Sequence, residues 1–269
     1  MNNEVSIIMP VYNAEEYVSF AIESVLSQTY GLFEFIIIDD CSTDKTSKII
    51  GNYAKNDNRI KVIKNSKNLK IVKSLNIGLR AAKYKFIARI DADDIWVNNK
   101  LEIQLKEFEL NNNLYLLGTA KTLIDSSGQK IASVEKPIFK YSEIKSNILK
   151  YNLFCHSSVM YRKEIIDIVG YYNEKYKNSE DYEYWIRIIK DLHTEILPQK
   201  LVFYRITDNM VSLTKRKQQY YYVIKAKLLG FKLYGFKFSY LKYILNDLYI
   251  ISVPKFMITF KRFLFGKKH

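Results

Sequence analysis

Cysteine is scarce: Cys41 and Cys155 are the two in 269 residues, and they lie far apart. That argues against a disulfide framework and fits a reducing compartment. Glycine-rich phosphate loops are missing as well. No G-x-G-x-x-G follows the first apolar run, and no G-x-x-x-x-G-K-[ST] occurs anywhere. Dinucleotide redox chemistry and P-loop hydrolysis therefore lose most of their support, and a diphosphate would have to be neutralised by side chains or a metal. No stretch of 18 consecutive apolar residues exists, so a spanning helix is not expected. Met1-Asn2-Asn3-Glu4 carries neither the basic region nor the small-residue cleavage site of a secretory signal, so a cytoplasmic protein is expected. No internal repeat is visible.

What is present is enough apolar residues, 48% of the chain, to bury a sizeable core, with one large domain plus an appendage as the natural division. The net charge of +14 is unevenly placed. Residues 215–269 hold thirteen Lys or Arg and one acid, Asp247, which leaves 29 bases against 27 acids in residues 1–214. A near-neutral body with a basic tail is unlike a nucleic-acid binder, which carries its bases on the folded face that reads the duplex. Residues 217–265 interleave Tyr, Phe, Leu and Ile with Lys. Ile224, Leu228 and Phe231, then Leu241, Ile244 and Leu248, suggest amphipathic helices that lie on a membrane surface or cap the main domain.

The first 120 residues alternate short buried strands with amphipathic helices. Strands are expected at Val5–Met9, Phe33–Ile38, Arg59–Ile63 and Phe86–Ile90. Helices are expected from Ala14 to about Thr29, capped by Asn13 with Glu16 in a capping box, from the Ser42-Thr43-Asp44 cap to about Tyr53, and over Ile71–Ala82. A hairpin is expected around Asp125–Gly128, followed by mixed elements to about Arg205. This order implies a parallel sheet with helices on both faces and a ligand beyond the carboxyl ends of its strands. Three of those ends are chemically loaded: Pro10-Val11-Tyr12-Asn13, Asp39-Asp40 and Asp91-Ala92-Asp93-Asp94. Carboxylates crowded at the end of a buried strand, with only Arg89 nearby, raise one another's pKa unless a cation joins them. Hard divalent ions such as Mg²⁺ or Mn²⁺ take such oxygen ligands together with substrate phosphates. A solvated acidic loop or helix cap is the plainer alternative for an isolated Asp-x-Asp.

These residues resemble glycosyltransferase family 2 and its GT-A fold. The resemblance rests on Val5–Tyr17, on Ile36–Asp44, on Ser74–Ala82 and on Ala88–Asp94, and it runs from about Val5 to Ser212. It implies an α/β, Rossmann-like, mostly parallel sheet with flanking helices, followed by a basic, aromatic, helical C-terminal extension. Residues 1–214 would form the transferase domain, with a nucleotide half to about 120 and an acceptor half from 121, and 215–269 the tail. For the nucleotide sugar the resemblance points to Pro10, Val11, Tyr12, Asn13, Asp39, Asp91, Ala92 and Asp93, with Asp40 on the uracil ring. Asn76 and Arg80, one helical turn apart on one face, are candidates to reach the nucleotide, with a surface position as the alternative for Arg80. Asp93 and Asp91 would hold the metal.

Ser179–Arg187 matches the family's Glu-Asp pattern. Asp181 is the expected base, Glu180 its close competitor, and a first-turn helix acid the plainer reading. Phe154–Arg162 resembles the segment upstream of the base, where His156 would line the acceptor side, touch phosphate or serve only the core. Direct displacement by an acceptor hydroxyl inverts the anomeric centre. The expected function is transfer of a hexose or N-acetylhexosamine from a nucleotide diphosphate sugar, UDP-linked, to a glycan or lipid-linked acceptor in surface polysaccharide synthesis, on the inner membrane face. One departure stands out: many relatives carry a His after Tyr-Arg near the end of the domain, whereas Tyr204-Arg205-Ile206 is followed by Thr207. The alternatives are a sugar nucleotidyltransferase, which would ask for a basic, Gly-rich first loop, and a non-catalytic, membrane-associated nucleotide-sugar-binding protein, which would ask for a lost carboxylate.

Overall fold

A computed structural model describes residues 3–134, 140–207 and 214–252. Every residue of β1 (Val5–Val11) and of β2 (Phe33–Asp39) is buried, as strands covered on both faces must be. Alternate side chains serve two cores. Ile7 and Met9 meet α1 (Val18–Leu26) through Val18, Ile22 and Val25 on one face, while Ile8 meets α3 (Ile71–Ala81) through Val72, Leu75 and Leu79 on the other. Gly78 permits that close approach, because a Cβ there would lie 2.6 Å from Ile8 Cγ2 and 2.8 Å from Ile38 Cδ1.

With α2 (Thr46–Asn56), β3 (Ile60–Lys64) and β4 (Phe86–Arg89), the first half forms the parallel order β3-β2-β1-β4. The sheet then turns mixed. Antiparallel β8 (Met160–Arg162) joins β4 to β6 (Leu114–Ile124), which runs parallel to β9 (His193–Arg205). The two-residue β5 (Ile95–Trp96) closes the far edge on β9, and β7 (Lys130–Val134) forms the expected hairpin with β6. Helices α4 (Lys100–Leu110), α5 (Tyr141–Asn147), α6 (Ile165–Val169) and α7 (Glu180–Asp191) complete the body.

The first helix differs from expectation. Asn13 does not cap it but adopts a left-handed backbone, φ 48°, and its Oδ1 accepts from the Thr43 backbone N–H at 2.8 Å. A turn over residues 14–17 precedes regular helix at Val18, and the Ala14 and Glu15 N–H groups donate to Thr46 Oγ1 and Asp44 Oδ2. The Asn13 N–H, which Glu16 was expected to take, donates to Ser42 Oγ at 3.1 Å, so the loop after β2 and the first residue of α2 supply the partners.

The tail begins with α8 (Arg216–Tyr234) and, after a short turn, α9 (Leu241–Ser252). Its buried residues are Ala226, Lys227, Gly230, Phe231 and Asp247, whereas Leu228 and Leu248 point outward. Of the expected apolar stripe Phe231 and Ile244 pack on the core, and a small-residue face with an ion pair completes the seat in place of Leu228 and Leu248. Lys227 Nζ meets Asp247 Oδ2 at 2.6 Å, Tyr234 donates to the Ile186 carbonyl of α7, and a Cβ at Gly230 would collide with Leu149. Among the described residues no helix is long and apolar enough to cross a membrane. The rest of the expected tail, 253–269 with five of its bases, and Ser212 lie outside the described residues.

Candidate active site

Strand β4 is short because its sequence turns acidic, and the turn is heavily braced. Buried Arg89 pairs both its terminal nitrogens with the two oxygens of Asp91. Ser157 accepts from the Asp91 N–H at 3.0 Å and donates to Asp91 Oδ2 at 3.0 Å. From the other side, Arg205 at the end of β9 donates its backbone N–H to Asp94 Oδ1 at 2.9 Å and its Nε to the Asp93 carbonyl at 2.9 Å. The same guanidinium reaches the Asp125 and Ser126 carbonyls of the hairpin turn and stacks over Tyr17.

One carboxylate oxygen each from Asp91, Asp93 and Asp94 falls within 4.8 Å of the others. Burial, followed by the Asp91 charge, pushes Asp93 up to about 6, and burial with the Asp93 charge holds Asp94 well above the usual carboxylate range. Asp94 Oδ2 is buried without a hydrogen-bond partner among the described residues. A site this short of positive charge, built of hard oxygen donors with one buried acceptor unpaired, fits a divalent cation such as Mg²⁺ or Mn²⁺.

Two cavities adjoin at Asp91 and Asp93. The first, of about 550 Å³, is lined by Pro10, Tyr12, Asn13, Ala92 and Thr207 among others. The second, of about 420 Å³, holds Arg89, Lys121, Asn152, His156, Glu180 and Asp181. The fold therefore gathers most of the residues singled out in the sequence. Val11, Asp39 and Asp40 lie behind the first cavity rather than in its lining. Buried Asp39 accepts from the Ser42 N–H and the Ser47 hydroxyl. Buried Asp40 accepts from Asn65 Nδ2, from the Leu69 N–H and from the Lys70 N–H, each at 2.8 Å.

Asn76 and Arg80 do share a helix face, but that face holds the Tyr171-Tyr172 segment and lines neither cavity. Asn76 exchanges hydrogen bonds with the Tyr172 backbone at 2.9 and 3.0 Å, and exposed Arg80 lies 4.7 Å over the Tyr171 ring. Buried amides must find partners, and here the acceptor half supplies them.

In the second cavity Asp181 heads α7. Burial raises its pKa, and Asn152 Nδ2 donates to its Oδ2 at 2.8 Å. Glu180 is buried, has no partner for Oε2 among the described residues, and is pushed by burial and the Asp181 charge up to about 8. Of the two acids Glu180 is held further above its ordinary range, which favours the protonated form there. Burial also drives the His156 imidazole well below its ordinary value. It is a neutral ring between Tyr172, whose hydroxyl is 2.9 Å from Nε2, and Trp185.

With that geometry, relatives decide the family. A model described as glycosyl transferase family 2 matches residues 6–170. The chain belongs to glycosyltransferase family 2. An uncharacterized glycosyltransferase of Methanocaldococcus jannaschii, MJ1057, is 37% identical over 82% of this chain and 78% of that protein. WfgD of Escherichia coli, described as a UDP-Glc:alpha-D-GlcNAc-diphosphoundecaprenol beta-1,3-glucosyltransferase, is 29% identical over 87% of this chain and 96% of its own. S. aureus TarS 1–349 in complex with UDP-GlcNAc superposes with a TM-score of 0.73 at 19% identity, covering 93% of this chain and 73% of TarS 1–349. The mannosyltransferase PcManGT of Pyrobaculum calidifontis, in complex with GDP-Man and Mn²⁺, gives 0.67 at 14%, covering 92% and 69%. At these identities the two structures establish a shared GT-A fold.

In this family 2 glycosyltransferase several site residues carry no strong sequence signal. Ser157 and Arg205 sit inside recognisable stretches, yet their roles as braces appear only when β8 and β9 return to β4. Lys121, whose ammonium lies 3.7 Å over the Tyr204 ring, and Asn152 come from segments without a motif.

Because Glu180 is held protonated by the fold, stability should fall as pH rises from the ordinary Glu range through about 8. Glu180→Gln removes that loss. Its melting temperature should match wild type near pH 4 and exceed it by roughly 8–20 °C at pH 8, because keeping this acid protonated from its ordinary range up to about 8 is worth about 4–5 kcal/mol in full. Thermal scans across this range check it, and an equal offset at both ends would contradict it.

Proposed function

We propose that the chain is an inverting, metal-dependent hexosyl- or N-acetylhexosaminyltransferase that uses a UDP-linked donor and a glycan or lipid-linked acceptor in surface polysaccharide synthesis. The observation that carries this reading is the position of Asp91 and Asp93 as the common wall of two cavities, one bounded by the turn after β1 and the other containing Asp181. The UDP-GlcNAc of TarS, the Mn²⁺ of PcManGT and the lipid-linked acceptor in the description of WfgD support donor class, metal and acceptor class in turn.

In this reading the nucleotide lies against Pro10, Tyr12 and Asn13. Asp39 and Asp40 fix the loops that carry that surface, so the part Asp40 plays toward the uracil is to hold the loop in place. Asp93 would be the principal ligand for Mn²⁺ or Mg²⁺, joined by Asp91, whose oxygens Arg89 also engages, and by Asp94, whose Oδ2 has no partner among the described residues. The bound ion would neutralise the diphosphate and so ease its departure. Asp181 accepts the proton of the acceptor hydroxyl as that oxygen forms its bond to C1. The C1–O bond to the diphosphate breaks with its electron pair on the departing phosphate oxygen. Asn152 occupies one Asp181 oxygen and leaves the other for the proton. Glu180, protonated, adds no second negative charge there, and neutral His156 shapes the acceptor wall. Thr207 borders the first cavity where relatives carry histidine, a neutral hydroxyl beside Asp93.

A position on the inner face of the cytoplasmic membrane belongs to the same proposal. Leu245, Leu248 and Tyr249 form one exposed ridge of α9, and Tyr221 and Leu228 another on α8, with exposed Lys232 and Lys242 nearby. Sedimentation with phosphatidylglycerol vesicles should be weakened by the paired change Leu245→Glu and Leu248→Glu and by high salt. Unaltered sedimentation would end the membrane reading.

Asp93→Ala should abolish metal-dependent binding of UDP-sugar. Asp181→Asn should leave that binding intact and lower turnover by about 10²–10⁴-fold, the usual worth of a general base. Titration calorimetry and donor-to-acceptor transfer assays over a panel of nucleotide sugars check both. Near-normal turnover by Asp181→Asn would move the base elsewhere.

A further inference from the structure

The cavity that holds Asp181 does not end there. Asn152 and Gln219 line it and also line an outer hollow of about 480 Å³, enclosed by α8, α9 and the segment before residue 153. This volume is in the range of ligand sites, about 300–1,000 Å³. We infer that the outer hollow is a second acceptor subsite, which binds a neutral sugar unit of the acceptor next to the unit that receives the transfer. The inference deepens the proposed function and rests on the reading of Asp181 as the base.

Continuity is the first argument. Asn152 is shared by both spaces, and its amide holds Asp181, so an acceptor whose hydroxyl meets Asp181 has the rest of its chain directed along Asn152 and Gln219. The lining is the second. Tyr151, Tyr220 and Tyr243 bring aromatic surface, against which the C–H face of a pyranose packs. The amides of Gln219 and Asn246 each bring donors and an acceptor in one group, which is what a ring of hydroxyls requires, while Asn152 is held between Asp181 and the Phe154 N–H.

Charge is the third argument, and it separates a sugar from a diphosphate. The ionisable lining residues besides tyrosine are Lys150, Lys227 and Asp247. Lys227 is closed on Asp247 at 2.6 Å and donates to the Lys150 carbonyl at 3.1 Å. Among the described residues that leaves Lys150 as the one uncompensated cation of the lining, lying 5.5 Å over the Tyr151 ring. A lone cation is a poor match for a diphosphate and no obstacle to a neutral sugar.

Rigidity is the fourth. The buried Lys227–Asp247 pair ties α9 to α8, Tyr182 donates to the Ile148 carbonyl at 2.6 Å, and Gly230 lets α8 rest directly on Leu149. A subsite built on fixed elements loses little freedom when it fills, which favours binding. The sequence pattern of basic and aromatic residues in the tail thus has a use beyond an address: part of it walls the acceptor path.

The test titrates the full chain, loaded with UDP and Mn²⁺, with a panel of neutral disaccharides and their constituent monosaccharides. At least one disaccharide should bind about tenfold more tightly than its monosaccharides, the worth of roughly one added stacking or hydrogen-bonding contact. Asn246→Ala, an exposed position with little bearing on folding, and Tyr243→Ala should each return that disaccharide to the monosaccharide level. The inference is overturned if no disaccharide shows an advantage, if the advantage survives both substitutions, or if inorganic pyrophosphate displaces the disaccharide. Binding of UDP with Mn²⁺, read on the same wild-type sample, separates the failures. Retained UDP binding without a disaccharide advantage removes the subsite alone, whereas absent UDP binding removes the proposed function beneath it.

Discussion

Three carboxylates forced together at the end of a buried strand are the constraint around which the rest is arranged. Asp91, Asp93 and Asp94 repel one another, and burial worsens the repulsion. The fold answers with two arginines from distant segments: Arg89 one side chain back along β4, and Arg205 from β9, more than a hundred residues later. Arg89 neutralises Asp91, while Arg205 holds the backbone of the loop and ties it to the β6–β7 turn. Neither cancels the charge on Asp93, and the remaining deficit is what the proposed divalent cation would fill.

That arrangement explains why the two halves of the chain need each other. The parallel half delivers Pro10–Asn13 and the acidic loop. The mixed half delivers Ser157, Arg205, His156 and the Glu180–Asp181 pair: β8 stands beside β4, and the end of β9 reaches the acidic loop through Arg205. Asn76, on the helix of the first half, is spent on the backbone of the second, so the interface is fixed by buried hydrogen bonds as well as by apolar packing. The geometry of the candidate site is thus a property of the junction, and α8, packed on α7, extends the junction outward.

Much of this was legible in the sequence because period and punctuation agree. The apolar runs of β1, β2 and β4 and the 3.6-residue repeat of α3 are local signals, and the acidic strand ends mark the crevice. Legibility failed where a long-range partner replaced a local one. Asn13 reads as a helix cap, yet Asp44 of the next loop and Thr46 of α2 supply the bonds. Asp40 reads as a ligand contact, yet backbone N–H groups of residues 69 and 70 already occupy much of it. Ile224–Leu228–Phe231 reads as one apolar face, yet Leu228 points outward, and a glycine with a Lys–Asp pair completes the seat beside Phe231. Sequence periodicity cannot register such pairings, because their partners lie 20 to 111 residues away.

The central claim is that Asp93 is held short of positive charge so that a divalent ion and a diphosphate settle between the two cavities. Crystals soaked with UDP and Mn²⁺, and measured for anomalous scattering at the manganese edge, test it most directly. The account requires a peak in contact with the Asp93 carboxylate and with the phosphates of UDP. UDP bound with no manganese on Asp93, or a peak outside the Asp91–Asp94 loop, would contradict it.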